Sequence, residues 1–77
     1  MNREKSLNDL HPGQSAVIRS ILSIGSIRRR LQDIGLIEGT KVRCVLRSPS
    51  GDPTAFLIRG AVIALRIEDS SNILIAN

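Results

Sequence analysis

The sequence predicts a mainly β fold: a small barrel of about five strands with one short helix inserted after the first strand. Three observations carry that expectation. Of the 77 residues 42% are hydrophobic, yet only Phe56 is aromatic, so the core must be built from Ile, Leu, Val and Ala, many of them β-branched and strand-favouring. Apolar residues recur at every second position over several short runs, the period of a half-buried strand. Those runs are separated by Gly, Pro, Ser and Asp, the residues that turns require. A chain this short supports one core, burying roughly 60% of its unfolded surface.

Residues 1–6 are polar and expected to be flexible, with a single barrel domain over 7–77. Leu7 and Leu10 lead into the turn His11-Pro12-Gly13. From Gln14 to Ile21, Ala16 and Ile18 alternate with Ser15, Val17 and Arg19, which predicts the first strand. Ser23 to Ser26 reads as a loop in which Ser26 caps a helix. In that helix Ile27, Leu31 and Ile34 form one apolar stripe, Arg28, Arg29, Gln32 and Asp33 face away, and Arg30 lies at the stripe's edge. Gly35 is placed as the left-handed stop, with Leu36 folding back onto Leu31.

Gly39 reopens extended structure. Over Lys41 to Arg47 the inward residues are Val42, Cys44 and Leu46, and the outward ones Lys41, Arg43, Val45 and Arg47. Ser48 to Asp52 is a turn, and Pro53 to Arg59 returns antiparallel. The expected register sets Val42 against Ile58, Cys44 against Phe56 and Leu46 against Thr54, with Val45 facing Ala55 and Arg43 facing Leu57 outside. Gly60 permits a sharp bend into a strand over Ala61 to Arg66, with Ile63 and Leu65 inward and Val62 outward. Glu68, Asp69, Ser70 and Ser71 break the pattern, and a last strand over Asn72 to Ala76 lies against the first and closes the barrel.

Composition narrows the functional classes. Eleven basic against seven acidic residues give a formal charge of +4, which favours an acidic partner surface, anionic headgroups or nucleic acid. With neither Trp nor Tyr to stack on bases, and no reading helix, an RNA-binding barrel has only charge in its favour and no nucleic acid is expected. A single cysteine, Cys44, argues for a reducing compartment, hence a cytoplasmic location. The N-terminal residues hold no apolar run, and the stretch from Ala55 to Leu65 is interrupted by Arg59 and Gly60 and falls short of the ~20 residues that span a bilayer, so membrane contact is expected only through a partner.

No catalytic, metal or cofactor site is expected. Cys44 and His11 are single and distant, without CxxC or HxxH spacing, and Cys44 falls on the inward face, where a thiol acts as a small core residue. Glu38, Asp52, Glu68 and Asp69 are scattered among turns and do not form an acid/base pair. Gly51-Asp52-Pro53 lacks the Lys and Ser/Thr of a phosphate-binding loop and reads as a turn. Arg28, Arg29 and Arg30 spread over about 200° of helix and cannot form one phosphate clamp; they are a solvated face or a docking patch. The outward apolar set Val45, Ala55, Leu57 and Val62 reads as an interface, self-association included, unless a loop or the N-terminal arm covers it.

From Leu10 onward the chain resembles the FeoA family, small cytoplasmic partners of the bacterial ferrous-iron transporter FeoB. The resemblance rests on Leu10, Pro12 and Gly13, on Arg28-Arg29-Arg30-Leu31-Gln32-Asp33-Ile34-Gly35-Leu36, on Gly39, on Gly51-Asp52-Pro53, and on Gly60 followed by Ile63-Ala64-Leu65-Arg66. It implies an SH3-like barrel with a helix after the first strand and a non-catalytic accessory role in transition-metal transport, exerted on the cytoplasmic GTPase part of FeoB. Ala55 and Leu57 depart from the polar or charged residues common in the family. The alternative is a regulatory barrel acting in trans on a metal-dependent repressor, since the chain has no room for its own DNA-reading helices.

Overall fold

A computed structural model describes residues 4–76. In chain order the elements are a 3-10 turn (Leu7–Asp9), β1 (Ser15–Ile21), α1 (Gly25–Asp33), β2 (Lys41–Arg47), β3 (Thr54–Ile58), β4 (Ala61–Leu65), α2 (Ile67–Ser70) and β5 (Ile73–Ile75). Every strand pair is antiparallel, in the order β4-β3-β2-β1-β5. The expected five strands and inserted helix are therefore present. Leu65 on one edge and Ile73 on the other belong to the same core cluster as Phe56, Ile58 and Val42, so the sheet curls around its apolar face. Closure is by packing, because no β4–β5 ladder forms among the described residues.

The core holds Phe56, Leu7, Ile18, Leu36, Ile58 and Ile73 with almost no exposure, each contributing about 1.5–3 kcal/mol by leaving water. β1 reaches it unevenly. Ile18 and Ile21 both face inward although they are three apart, because a register shift against β5 lies between Ile18 and Ser20. Of the segment expected to be flexible, Lys5 and Ser6 are bonded into the fold: the Lys5 carbonyl accepts from the Ile75 amide at 2.9 Å, and Ser6 bridges Leu74. Ser6 is also the N-cap of the 3-10 turn, its hydroxyl accepting from the Asn8 amide while the Asp9 carboxylate accepts from the Ser6 amide. Residues 1–3 lie outside the described chain.

α1 starts earlier than the sequence suggests. Ile24 is the N-cap and Ser26 already lies in the first turn, so its hydroxyl does not cap the helix. The stop is as expected. The Gly35 and Leu36 amides donate to the Gln32 and Leu31 carbonyls at 3.0 and 2.9 Å, Gly35 has φ +89, and Leu36 is fully buried. The left-handed φ at Gly35 is what requires glycine there, and a Cβ would also displace the Arg59 side chain, whose Cδ lies 2.5 Å from that position. That Arg59 makes, with Gly60, the β3–β4 turn; φ is +48 and +84 at the two residues, and the Arg59 Nε donates to the Gly35 carbonyl at 3.1 Å. The hairpin tip is thus tied to the C-terminus of α1.

The β2–β3 register matches expectation at Val42/Ile58, Arg43/Leu57 and Cys44/Phe56, then departs. A bulge between Cys44 and Leu46 sets Leu46 against Ala55 and Arg47 against Thr54. Leu46, expected inside, is consequently 64% exposed, and Val45 is the extra residue instead of the partner of Ala55. Arg47 turns toward the protein and donates to the Asn8 and Leu10 carbonyls at 3.1 and 2.6 Å, satisfying the end of the 3-10 turn. After β4 the chain forms α2 where the sequence suggests only an interruption. The Ile67 amide, first in that turn, donates to the Asp52 carboxylate at 3.0 Å, so a residue 15 positions away supplies its cap. In β5 all of Ile73, Leu74 and Ile75 are buried.

Candidate functional site

On the outer face of the sheet, Val45, Leu57 and Val62 border one shallow depression with Arg43, in a volume of about 290 Å³. β-pairing places them there: Leu57 lies opposite Arg43 on one side and Val62 on the other. Val45 and Val62 are exposed, whereas Leu57 and Ala55 are half-buried, so this outward apolar set is less open at its centre than the alternation implies. Ala55 lies outside the depression, between Leu46 and Ala64. The outward turn of Leu46 extends the apolar surface in that direction.

The helix residues do not join this patch. Arg28 and Arg29 border a separate depression of about 430 Å³ with Gln32. Arg28 is half-buried, its guanidinium donating to the Ile21 carbonyl at 2.8 Å, so it clamps α1 to the end of β1. Arg29 is exposed and has no partner among the described residues.

A third surface escaped the sequence reading. Between α1 and β4 runs an open groove of about 670 Å³ that Leu22, Ile24, Ile27 and Ile34 line with Ile63, and Arg30 and Arg66 stand along it. Ile24 is 83% exposed, the most open large apolar side chain described. Arg30, expected at the edge of the helix stripe, is exposed and lines this groove. The available signal was Leu22 and Ile24 flanking Ser23, two large apolar residues in a segment otherwise read as loop.

The reactive side chains are occupied structurally or dispersed. Cys44 is fully buried, and burial raises its thiol above the ordinary range, with the Arg47 charge pulling the other way. His11 is exposed; its amide donates to the Gln14 side chain. Asp52 is engaged with α2, and Arg19 pairs with Glu4 across the surface. Among the described residues no group of three or more His, Cys, Asp or Glu could hold a metal ion, and no helix is long and apolar enough to cross a membrane.

A curled five-stranded sheet with exposed apolar and basic surfaces defines a small barrel module. More particularly, the FeoA domain model matches residues 5–77, and the chain belongs to that family. It is 33% identical over 67 residues, 87% of its length, to a protein of Porphyromonas gingivalis described as an Fe(2+) transport protein A/Fe(2+) transporter FeoB fusion, of which it spans only 8%. Among solved structures it is similar to the FeoA protein of Chlorobium tepidum, at 30% identity and TM-score 0.87, with 92% of this chain and 68% of that one covered. It is also similar to Stenotrophomonas maltophilia FeoA, described as a prokaryotic SH3 domain protein in complex with zinc, at 29% identity and TM-score 0.83, covering 94% and 89%. A manganese-dependent transcriptional repressor shares the fold alone, at 15% identity and TM-score 0.84 over all of this chain and 43% of that one.

Proposed function

We propose that this protein is a non-catalytic accessory of ferrous-iron transport that acts in the cytoplasm on the GTPase part of an FeoB-like membrane transporter. The observation that carries it is the fused relative, in which a segment aligning with 87% of this chain belongs to the same polypeptide as an Fe(2+) transporter. A covalent link between modules fits two parts that work in contact, because the tether raises their effective concentration. In this reading Val45, Leu57, Val62 and Arg43 offer an apolar centre with a basic rim, and Arg29 adds a second cation, unpaired among the described residues. Arg28 contributes indirectly, by fixing the helix that carries Arg29. Ferrous iron is the cargo of the transporter, and this chain's effect on it is exerted through the partner.

Titration of the isotope-labelled protein with the soluble GTPase domain, with and without guanine nucleotide, tests this. Localised shift changes on the outer sheet or α1 are expected. A spectrum unchanged in both nucleotide states would overturn the proposal, and co-purification with a repressor instead would assign the module to gene regulation.

A further inference from the structure

β4 is the open edge of the sheet among the described residues, and the strand itself lacks the charge or proline that often blunts such an edge. Its residues, Ala61, Val62, Ile63, Ala64 and Leu65, include no charge and no proline, and Ala61, Val62 and Ala64 are exposed. The Arg59-Gly60 turn makes Ile58 and Ala61 a hydrogen-bonded pair, and antiparallel alternation then directs the N–H and C=O of Val62 and Ala64 away from β3. Among the described residues neither has a backbone partner on that side. Alongside the edge lies the α1–β4 groove, with Ile24 and Ile27 exposed across it.

We propose that β4 accepts an extended segment of a partner protein as a sixth strand, with apolar side chains at alternate positions entering the groove and an acidic residue at each end. Addition to a sheet edge satisfies the free backbone groups, and pockets beside the edge select alternate side chains. The charges choose the occupant. Arg59 and Arg66 bracket β4, both exposed; the Arg59 Nε is held by the Gly35 carbonyl, and the Arg66 guanidinium has no partner among the described residues. A second copy paired about Ile63 would set Arg66 against the copy's Gly60, beside its Arg59, so cations would meet at both ends. A segment with acidic ends turns that repulsion into attraction. Glu68 and Asp69, next along the chain and also on the groove, repel an anion carried past Arg66 and so set where the segment ends. The inference stands apart from the identity of the transporter, since it concerns any chain of this pattern.

The probe is a blocked peptide of about seven residues, a common strand length, with valine at alternate positions and acidic ends; a lysine-ended version is the control. Binding is expected to slow amide exchange at Val62 and Ala64 and to shift Ile24 and Ile27. Val62→Pro removes an N–H that the β3 ladder does not use, and should weaken binding about tenfold or more while the fold persists. Arg66→Glu leaves the edge intact and should move the preference toward the lysine-ended peptide, which keeps the proposal testable if Val62→Pro does not fold. Shifts confined to Val45 and Leu57, unaltered binding by folded Val62→Pro, or no binding of the acidic peptide would each overturn it. Concentration-dependent dimerisation that protects Val62 and Ala64 would assign the edge to a second copy instead.

Discussion

The two edges of this sheet are treated in opposite ways. β5 is buried at all three positions and receives the N-terminal arm, whose Lys5 carbonyl and Ser6 bridge meet it, with the 3-10 turn packed alongside. β4 is mostly exposed, uncharged and, among the described residues, without backbone partners along its outer side. A domain this small has one continuous core, so covering one edge with its own chain and leaving the other open separates the edge that stability needs from the one proposed for recognition. The β5 side should govern folding, and the β4 side should tolerate change.

The sharpest break in that contrast is Ile73→Ala. Emptying a fully buried position on β5 is expected to cost about 2–5 kcal/mol, read from urea unfolding. Next is Gly35→Ala, at φ +89 and with Arg59 Cδ 2.5 Å from the added Cβ; a loss of about 1–3 kcal/mol is expected, along with altered shifts at the β3–β4 turn that holds the open edge beside α1. Ser6→Ala removes the cap of the arm that covers β5, for about 1 kcal/mol, and amide exchange at Ile75 should quicken. Val62→Ala, on the open edge and 62% exposed, should change stability by less than about 0.5 kcal/mol. Equal losses for Ile73→Ala and Val62→Ala would erase the distinction between the edges.

The smallest expected effect lies between them, at Cys44 on β2. Its thiol is raised by burial, so in the unfolded chain it ionises at lower pH than in the folded one. Its contribution is therefore fully present below the ordinary thiol range and is lost as pH rises through that range and beyond. Urea midpoints followed across alkaline pH should fall more in the parent protein than in Cys44→Ala. A parallel decline in both would place the titrating group elsewhere.

What could be seen in advance was whatever depends on neighbours in sequence. The alternation of Val42 and Cys44, the stop at Gly35 and Leu36, and the Gly60 bend are set by local sterics and by the two periodicities of apolar residues. From these followed the mainly β class, the inserted helix and the inward Cys44. Of the candidate surface, Val45, Leu57 and Val62 do share one depression, whereas Arg28 is tied to the Ile21 carbonyl and Ala55 lies to one side.

Tertiary structure decided the rest, because the deciding contacts join distant residues. One inserted residue at the β2 bulge sends Leu46 outward, and period-two alternation does not register such an insertion. Asp52 caps α2 across 15 positions, turning an apparent interruption into a helical turn. The α1–β4 groove exists only where Leu22 and Ile24 come to face β4. Which edge stays open was settled by the N-terminal arm choosing β5, a pairing between the first residues described and the last.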